Sequence, residues 1–108
     1  MSTLAAPRLR LPRAVRAGEP FEMRTLVEHP METGLRRDGA RLIPRDILAS
    51  LVVTVDGAPV FEVAFRNGSA ANPFQVFFLR LQRSAEVAVT VTDEAGRTAR
   101  TAQRVTVA

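Results

Sequence analysis

Hydrophobic and polar positions alternate with a period of two along most of this chain. From residue 21 to residue 28, Phe21, Met23, Thr25 and Val27 fall on one face and Glu22, Arg24 and Glu28 mostly on the other, the pattern of a strand with one buried side. Residues 8–16 read as an opening strand bent at Pro12, because proline is acceptable in a strand only at an edge or a bulge. A further strand starts near Ile47 and carries Leu51, Val53 and Val55 on one face. Residues 60–65, 74–81, 86–92 and 98–107 complete the set. No window sustains a helical period over about eleven residues.

The punctuation between these runs is that of β turns. Gly18, Glu19 and Pro20 end the first strand. Asp56-Gly57 lies between two β-rich runs, the strongest short-range hairpin signal, because both turn positions need positive φ. Asn67 to Ser69 and Asn72-Pro73 are loop material, Asn67-Gly68-Ser69 also matching a glycosylation acceptor pattern that any loop can carry. Asp93-Glu94-Ala95-Gly96 predicts a type I turn closed by a left-handed Gly96. About seven short antiparallel strands at this spacing predict an all-β chain folded as an immunoglobulin-like β-sandwich, with a small Greek-key barrel as the alternative.

Two stretches depart from the simple pattern. Residues 74–81 are apolar on both faces: Phe74, Val76 and Phe78 on one, Phe77, Leu79 and Leu81 on the other. Residues 60–65 are similar, with Phe61, Val63 and Phe65 facing one way and Val60 and Ala64 the other. A strand apolar on both faces needs a second covering layer, so these strands predict an interface on the outer face of their sheet unless a loop of the same chain covers it. The only loop long enough is the second anomaly. Residues 29–46 connect two strands without periodicity, and connections of that length tend to be functional. His29, Pro30, Met31, Glu32, Thr33, Gly34 and Leu35 form a compact, partly apolar turn, Arg36 to Arg41 a polar tip, and Leu42, Ile43 and Pro44 the return. Pro30 holds His29 extended, and Gly34 is placed to supply a positive φ.

Composition narrows the chemistry. The chain has 108 residues, 46% hydrophobic and 24% charged, which suits one domain over residues 1–108. It contains no cysteine, tryptophan or tyrosine and a single histidine. A disulfide, a thiol nucleophile, a persulfide carrier and a histidine-rich metal site are therefore outside its means. No metal or cofactor is expected. The net charge is +4, and all 15 basic residues are arginine, interleaved with 11 acids except at Arg8, Arg10, Arg13 and Arg16. That cluster reads as a solvated strand face rather than a nucleic-acid patch, for no aromatic residue is interleaved for base stacking. No apolar run approaches a membrane span, and the amino terminus has no apolar core of a secretory signal. His29 as a general base would need a nucleophile, and Glu28, Glu32 or Asp38 could only orient it. Ser2, Ser50, Ser69 and Ser84 lie in no nucleophile-elbow context. No catalytic residue is assigned.

His29-Pro30-Met31-Glu32-Thr33-Gly34-Leu35-Arg36, with Asn72-Pro73-Phe74 further on, resembles the SoxZ family of the bacterial thiosulfate-oxidising (Sox) system. The likeness covers most of the chain, and the eight-residue loop is its specific part. Arginine in place of lysine throughout is the main departure. The resemblance implies an immunoglobulin-like sandwich that pairs with a SoxY sandwich subunit, whose cysteine in a Gly-rich carboxy-terminal arm holds the sulfur intermediates. It also implies transient contact with other Sox enzymes and a periplasmic location reached by co-export with a signal-bearing partner. A chain without cysteine then scaffolds or presents the carrier, with His29 to Leu35, Phe61, Phe74, Phe77 and Leu79 as the partner-binding residues. Two other readings compete: a structural or adhesion-type sandwich homodimer, and a small ligand-binding or enzymatic domain built on His29.

Overall fold

The computed structural model describes residues 4–108; Ser2 lies outside them. Ten strands follow in chain order: β1 (Arg8–Arg10), β2 (Ala14–Val15), β3 (Phe21–Leu26), β4 (Arg37–Asp38), β5 (Arg41–Leu42), β6 (Leu48–Val55), β7 (Ala58–Ala64), β8 (Phe74–Leu79), β9 (Ala85–Asp93) and β10 (Thr98–Val107). They form a three-stranded sheet in the order β1-β3-β8, a five-stranded sheet in the order β2-β10-β9-β6-β7, and a two-stranded hairpin, β4-β5. The two large sheets bury their apolar faces against each other as a sandwich, as the periodicity predicts.

The core follows from the alternation. Met23 of β3, Leu51 and Val53 of β6, Val87, Val89 and Val91 of β9 and Val105 of β10 are all fully buried. Each such side chain contributes about 1.5–3 kcal/mol relative to exposure, so a one-residue register slip in any of these strands would forfeit several of them at once. The turns match their sequences. Asp56 (φ 48°) and Gly57 (φ 83°) make the two-residue turn between β6 and β7, and Asp56 Oδ1 accepts a hydrogen bond from Glu86 N at 2.8 Å, tying that turn to the start of β9. Gly96 (φ 88°) closes the turn between β9 and β10.

Two expectations need correction. The opening strand is not one bent strand: β1 pairs antiparallel with β3 in the small sheet, whereas β2 pairs parallel with β10 in the large one. Pro12 sits between them, where its missing N–H lets the chain leave one ladder and join the other. The strands at residues 60–65 and 74–81 do not share a sheet either. β7 ends the five-stranded sheet and β8 ends the three-stranded one. Their contact is across the sandwich, where Phe61 stacks on Phe77 with ring centroids 5.0 Å apart.

Candidate functional site

The segment between β3 and β6 stays at one end of the sandwich. It does not fold over β8, whose outward residues remain uncovered. Its base is closed by a reciprocal main-chain pair, Glu32 N to Asp46 O at 2.7 Å and Asp46 N to Glu32 O at 2.8 Å. Above that bridge, β4 and β5 project as a small hairpin, with Ile43 N donating to Arg36 O at 2.8 Å.

His29 is buried at 5% exposure. Its main-chain N–H donates to Asn72 Oδ1 at 2.9 Å, and Asn72 N donates back to His29 O at 2.8 Å. Val27 N donates to Pro73 O at 3.0 Å alongside. The His-Pro-Met and Asn-Pro-Phe motifs, remote in sequence, are therefore two sides of one structure. Inside the loop, Met31 (φ 52°) turns back so that its N–H donates to His29 Nδ1 at 3.1 Å. That bond occupies the lone pair of Nδ1 and places the proton of the neutral ring on Nε2. Nε2 lies 3.2 Å from Asp46 Oδ1 without forming a hydrogen bond to it.

The carboxylate beside His29 is thus Asp46. Of the three acids expected there, Glu28 pairs with Arg8 at 2.6 Å and Glu32 with Arg36 at 2.6 Å, while Asp38 sits in the hairpin. Asp46 Oδ1 is also 3.2 Å from Arg97 Nη2. Arg97 in turn donates from Nε to Asp93 Oδ2 at 2.5 Å and from its main-chain N to Asp93 Oδ1 at 2.8 Å. Burial alone would raise the Asp93 pKa, but the Arg97 amide, the Arg97 guanidinium and the Ala95 amide outweigh it and hold the carboxyl below its ordinary value.

Arg45 joins the loops of this end. Nε and Nη2 grip Glu94 at 2.7 and 3.0 Å, Nη1 donates to Thr33 O at 2.8 Å, and Nη2 also donates to Asn67 Oδ1 at 2.8 Å. The planar fork of the guanidinium, with its five donors, serves all three partners at once. The close packing also explains Gly34 (φ 84°), where a Cβ would meet Arg45 Cβ at 3.0 Å. An open cleft of about 640 Å³ lies beside this network, lined by Arg45, Asp46, Asp93, Glu94 and Arg97. Its cations are already engaged by carboxylates. Among the described residues no hydroxyl is hydrogen-bonded to the His29 ring, and Nδ1 accepts from the Met31 amide, so the bonds made by His29 order the loop. No group of three or more His, Cys, Asp or Glu residues suited to a metal ion occurs among the described residues.

The remaining candidates divide by face. Met31 is buried, and Thr33 and Gly34 are partly covered. Pro30 and Leu35 are exposed, Leu35 at 79%. On β8, Leu79 points into the core and Phe77 packs against it from the edge, while Phe74, Val76 and Phe78 face outward at 54%, 43% and 64% exposure. Sequence reasoning missed Arg45, Asp46, Asp93 and Arg97 as members of this end. The Asp-x-x-x-Arg spacing around Gly96 was the one available sign of the last two.

Comparison with known proteins is consistent with this fold. Among proteins of established function, none is a significant sequence match. A superoxide reductase (neelaredoxin) from Ignicoccus hospitalis is similar in structure, with 21% identity, 97% of this chain and 82% of that chain covered, and a TM-score of 0.74. The sulfur carrier protein SoxY from Chlorobium limicola f thiosulfatophilum is similar at 12% identity, covering 99% of this chain and 83% of that one, with a TM-score of 0.67. At such identities the likeness is one of fold. The family model of the sulphur oxidation protein SoxZ matches residues 9–104, which takes in the His29 loop, the Asn72-Pro73-Phe74 entry to β8 and nearly every strand; the chain belongs to the SoxZ family.

Proposed function

We propose that this chain is the non-catalytic subunit of a sulfur-carrier complex, pairing with a SoxY-type subunit that carries the sulfur intermediates and presenting it to the enzymes of thiosulfate oxidation. The observation that carries the reading is the row Phe74, Val76 and Phe78, three large apolar side chains exposed in line on β8. Such a row on a single-chain surface is a liability unless another molecule covers it. Membership of the SoxZ family and the absence of cysteine support the division of labour, since a chain without a thiol holds no sulfur covalently. The second exposed surface is the β4-β5 hairpin, with Leu35 and Leu42 uncovered and Arg37 opposite Leu42. It is assigned to transient contact with the pathway enzymes. On this reading the complex works in the periplasm.

Coexpression with a SoxY-type subunit tests this directly. A stable 1:1 complex is expected by sedimentation, and Phe74→Glu/Phe78→Glu should weaken it by about a hundredfold or more, as for central apolar anchors of an interface. A chain that stays monomeric beside the SoxY-type subunit, or a double variant that binds as well as the parent, would overturn the reading.

A further inference from the structure

A terminal strand carries a row of main-chain N–H and C=O groups that no neighbour satisfies, and folded proteins protect such edges against unwanted pairing. The two large sheets have four edges here. β2 is only two residues long. β1 has three residues, two of them arginine. β7 carries Pro59 and Glu62, and its pairing with β6 is broken by a register shift between Val53 and Thr54. The fourth edge, β8, has none of these devices. Phe-Gln-Val-Phe-Phe-Leu has no charge, proline or glycine, and it runs in unbroken register with β3 from Phe21 opposite Leu79 to Leu26 opposite Phe74. Among the described residues, no hydrogen bond reaches the side of β8 away from β3.

We infer that the edge of β8 is completed by a strand of the partner subunit, which pairs with β8 and continues the three-stranded sheet across the interface. The inference rests on the reading of this chain as the partner of a SoxY-type subunit and specifies how the two meet. An extended main chain is the ligand that the free edge selects, because donors and acceptors alternate along it at strand spacing. Six residues give a contact about 20 Å long. Neighbouring side chains on an added strand lie about 5 Å from those of β8 on the same face, so an apolar, alternating strand would cover Phe74, Val76 and Phe78 from the side. Its other face would meet Phe61, which stands half-covered at the mouth of the sandwich. Charge adds a condition. Arg80 follows the strand directly, is exposed and has no ion-pair partner among the described residues, so the partner strand is expected to bring a carboxylate to that end. A subunit of this same fold has terminal strands to offer.

Amide hydrogen exchange on the full chain, alone and with the SoxY-type subunit, decides the matter. Amides of residues 74–79 bonded to β3 should be protected in both states, whereas the alternate ones, directed away from β3, should slow by about tenfold or more only in the complex. A complex that forms with those alternate amides unchanged overturns edge pairing in favour of face-on packing and leaves the subunit reading standing. Failure of any complex to form overturns both. If the isolated chain gains the same alternating protection with rising concentration and sediments as a dimer, the edge belongs to a second copy, and the assignment to a SoxY-type strand is wrong.

Discussion

His29 and Asn72, separated by 43 residues, hold each other through two hydrogen bonds: the His29 amide donates to Asn72 Oδ1 and the Asn72 amide donates to the His29 carbonyl. Asn72 has a φ of 51°, a left-handed conformation that asparagine tolerates better than most residues. This latch sets where the His29 loop leaves β3 and where β8 begins, so it couples the two surfaces assigned to partners.

Replacing Asn72 separates its two roles. Asn72→Ala removes the side-chain acceptor and places an alanine at positive φ, and should lower stability by about 2–3 kcal/mol, since an unsatisfied buried donor alone costs 1–3. Asn72→Gly relieves the backbone but not the lost bond and should fall between. Asn72→Asp keeps the acceptor and should stay close to the parent. Denaturant titration of the four proteins gives the order; an Asn72→Ala variant as stable as Asn72→Asp would show that the latch carries no weight.

The Arg45 clamp is a matter of order more than of stability. Arg45→Ala cuts Thr33, Asn67 and Glu94 from one another and should speed proteolysis and amide exchange across residues 33–46, leaving β6 and β9 protected. Arg45→Lys should resemble Arg45→Ala, because an ammonium cannot span three partners in a fork. Gly34→Ala attacks the same junction from the other side and should cost about 1–2 kcal/mol for its left-handed backbone. If Arg45→Lys restores protection of the loop, point charge rather than fork geometry is what counts.

Local chemistry made some of this legible in the sequence and left the rest out. The Asp56-Gly57 and Gly96 turns could be read because a positive φ leaves its mark on one or two adjacent residues. The outward row of Phe74, Val76 and Phe78 could be read because period two sorts neighbours into faces. Period two is silent on which sheet a strand joins, and so β7 and β8 were expected on one surface although they end different sheets. Arg45 was invisible for a related reason. Its partners at residues 33, 67 and 94 come from three loops, and nothing near it in the chain announces them. Likewise Asp46 rather than a nearer acid stands beside His29, because the Glu32–Asp46 bridge folds the far end of the loop back onto the near one.

Asp93 links the site to pH. Its carboxyl is held below its ordinary value of 3.8, so the folded state favours the ionised form more than the unfolded chain does. The resulting stabilisation is complete above the unfolded value and is lost as pH falls below about 4 and through the depressed folded value. Asp93→Asn removes the ionised partner of Arg97 and should lower stability at neutral pH by about 1–3 kcal/mol. It should also flatten the acid limb of a stability-against-pH curve. Parallel curves for parent and variant between pH 2 and pH 6 would mean that other carboxylates, such as Glu32 and Glu94 with their arginine partners, govern acid unfolding.

Phe77 and Phe78 are adjacent and should behave as opposites. Phe77 points inward, stacked on Phe61 and packed against the core, so Phe77→Ala opens a gap between the sheets and should destabilise the isolated chain by about 2–4 kcal/mol, slightly less than a fully buried phenylalanine. Phe78 points outward at 64% exposure, so Phe78→Ala should leave the stability of the isolated chain within about 0.5 kcal/mol of the parent. In the complex the ranking reverses. Phe78→Ala should raise the dissociation constant for the SoxY-type subunit, whereas Phe77→Ala, once corrected for its lower fraction folded, should raise it less. Thermal unfolding of the isolated variants, paired with calorimetric titration against the partner, separates the two effects. Should Phe78→Ala unfold the free chain as readily as Phe77→Ala does, its ring is covered from within, and the outward row is not a surface kept for another molecule.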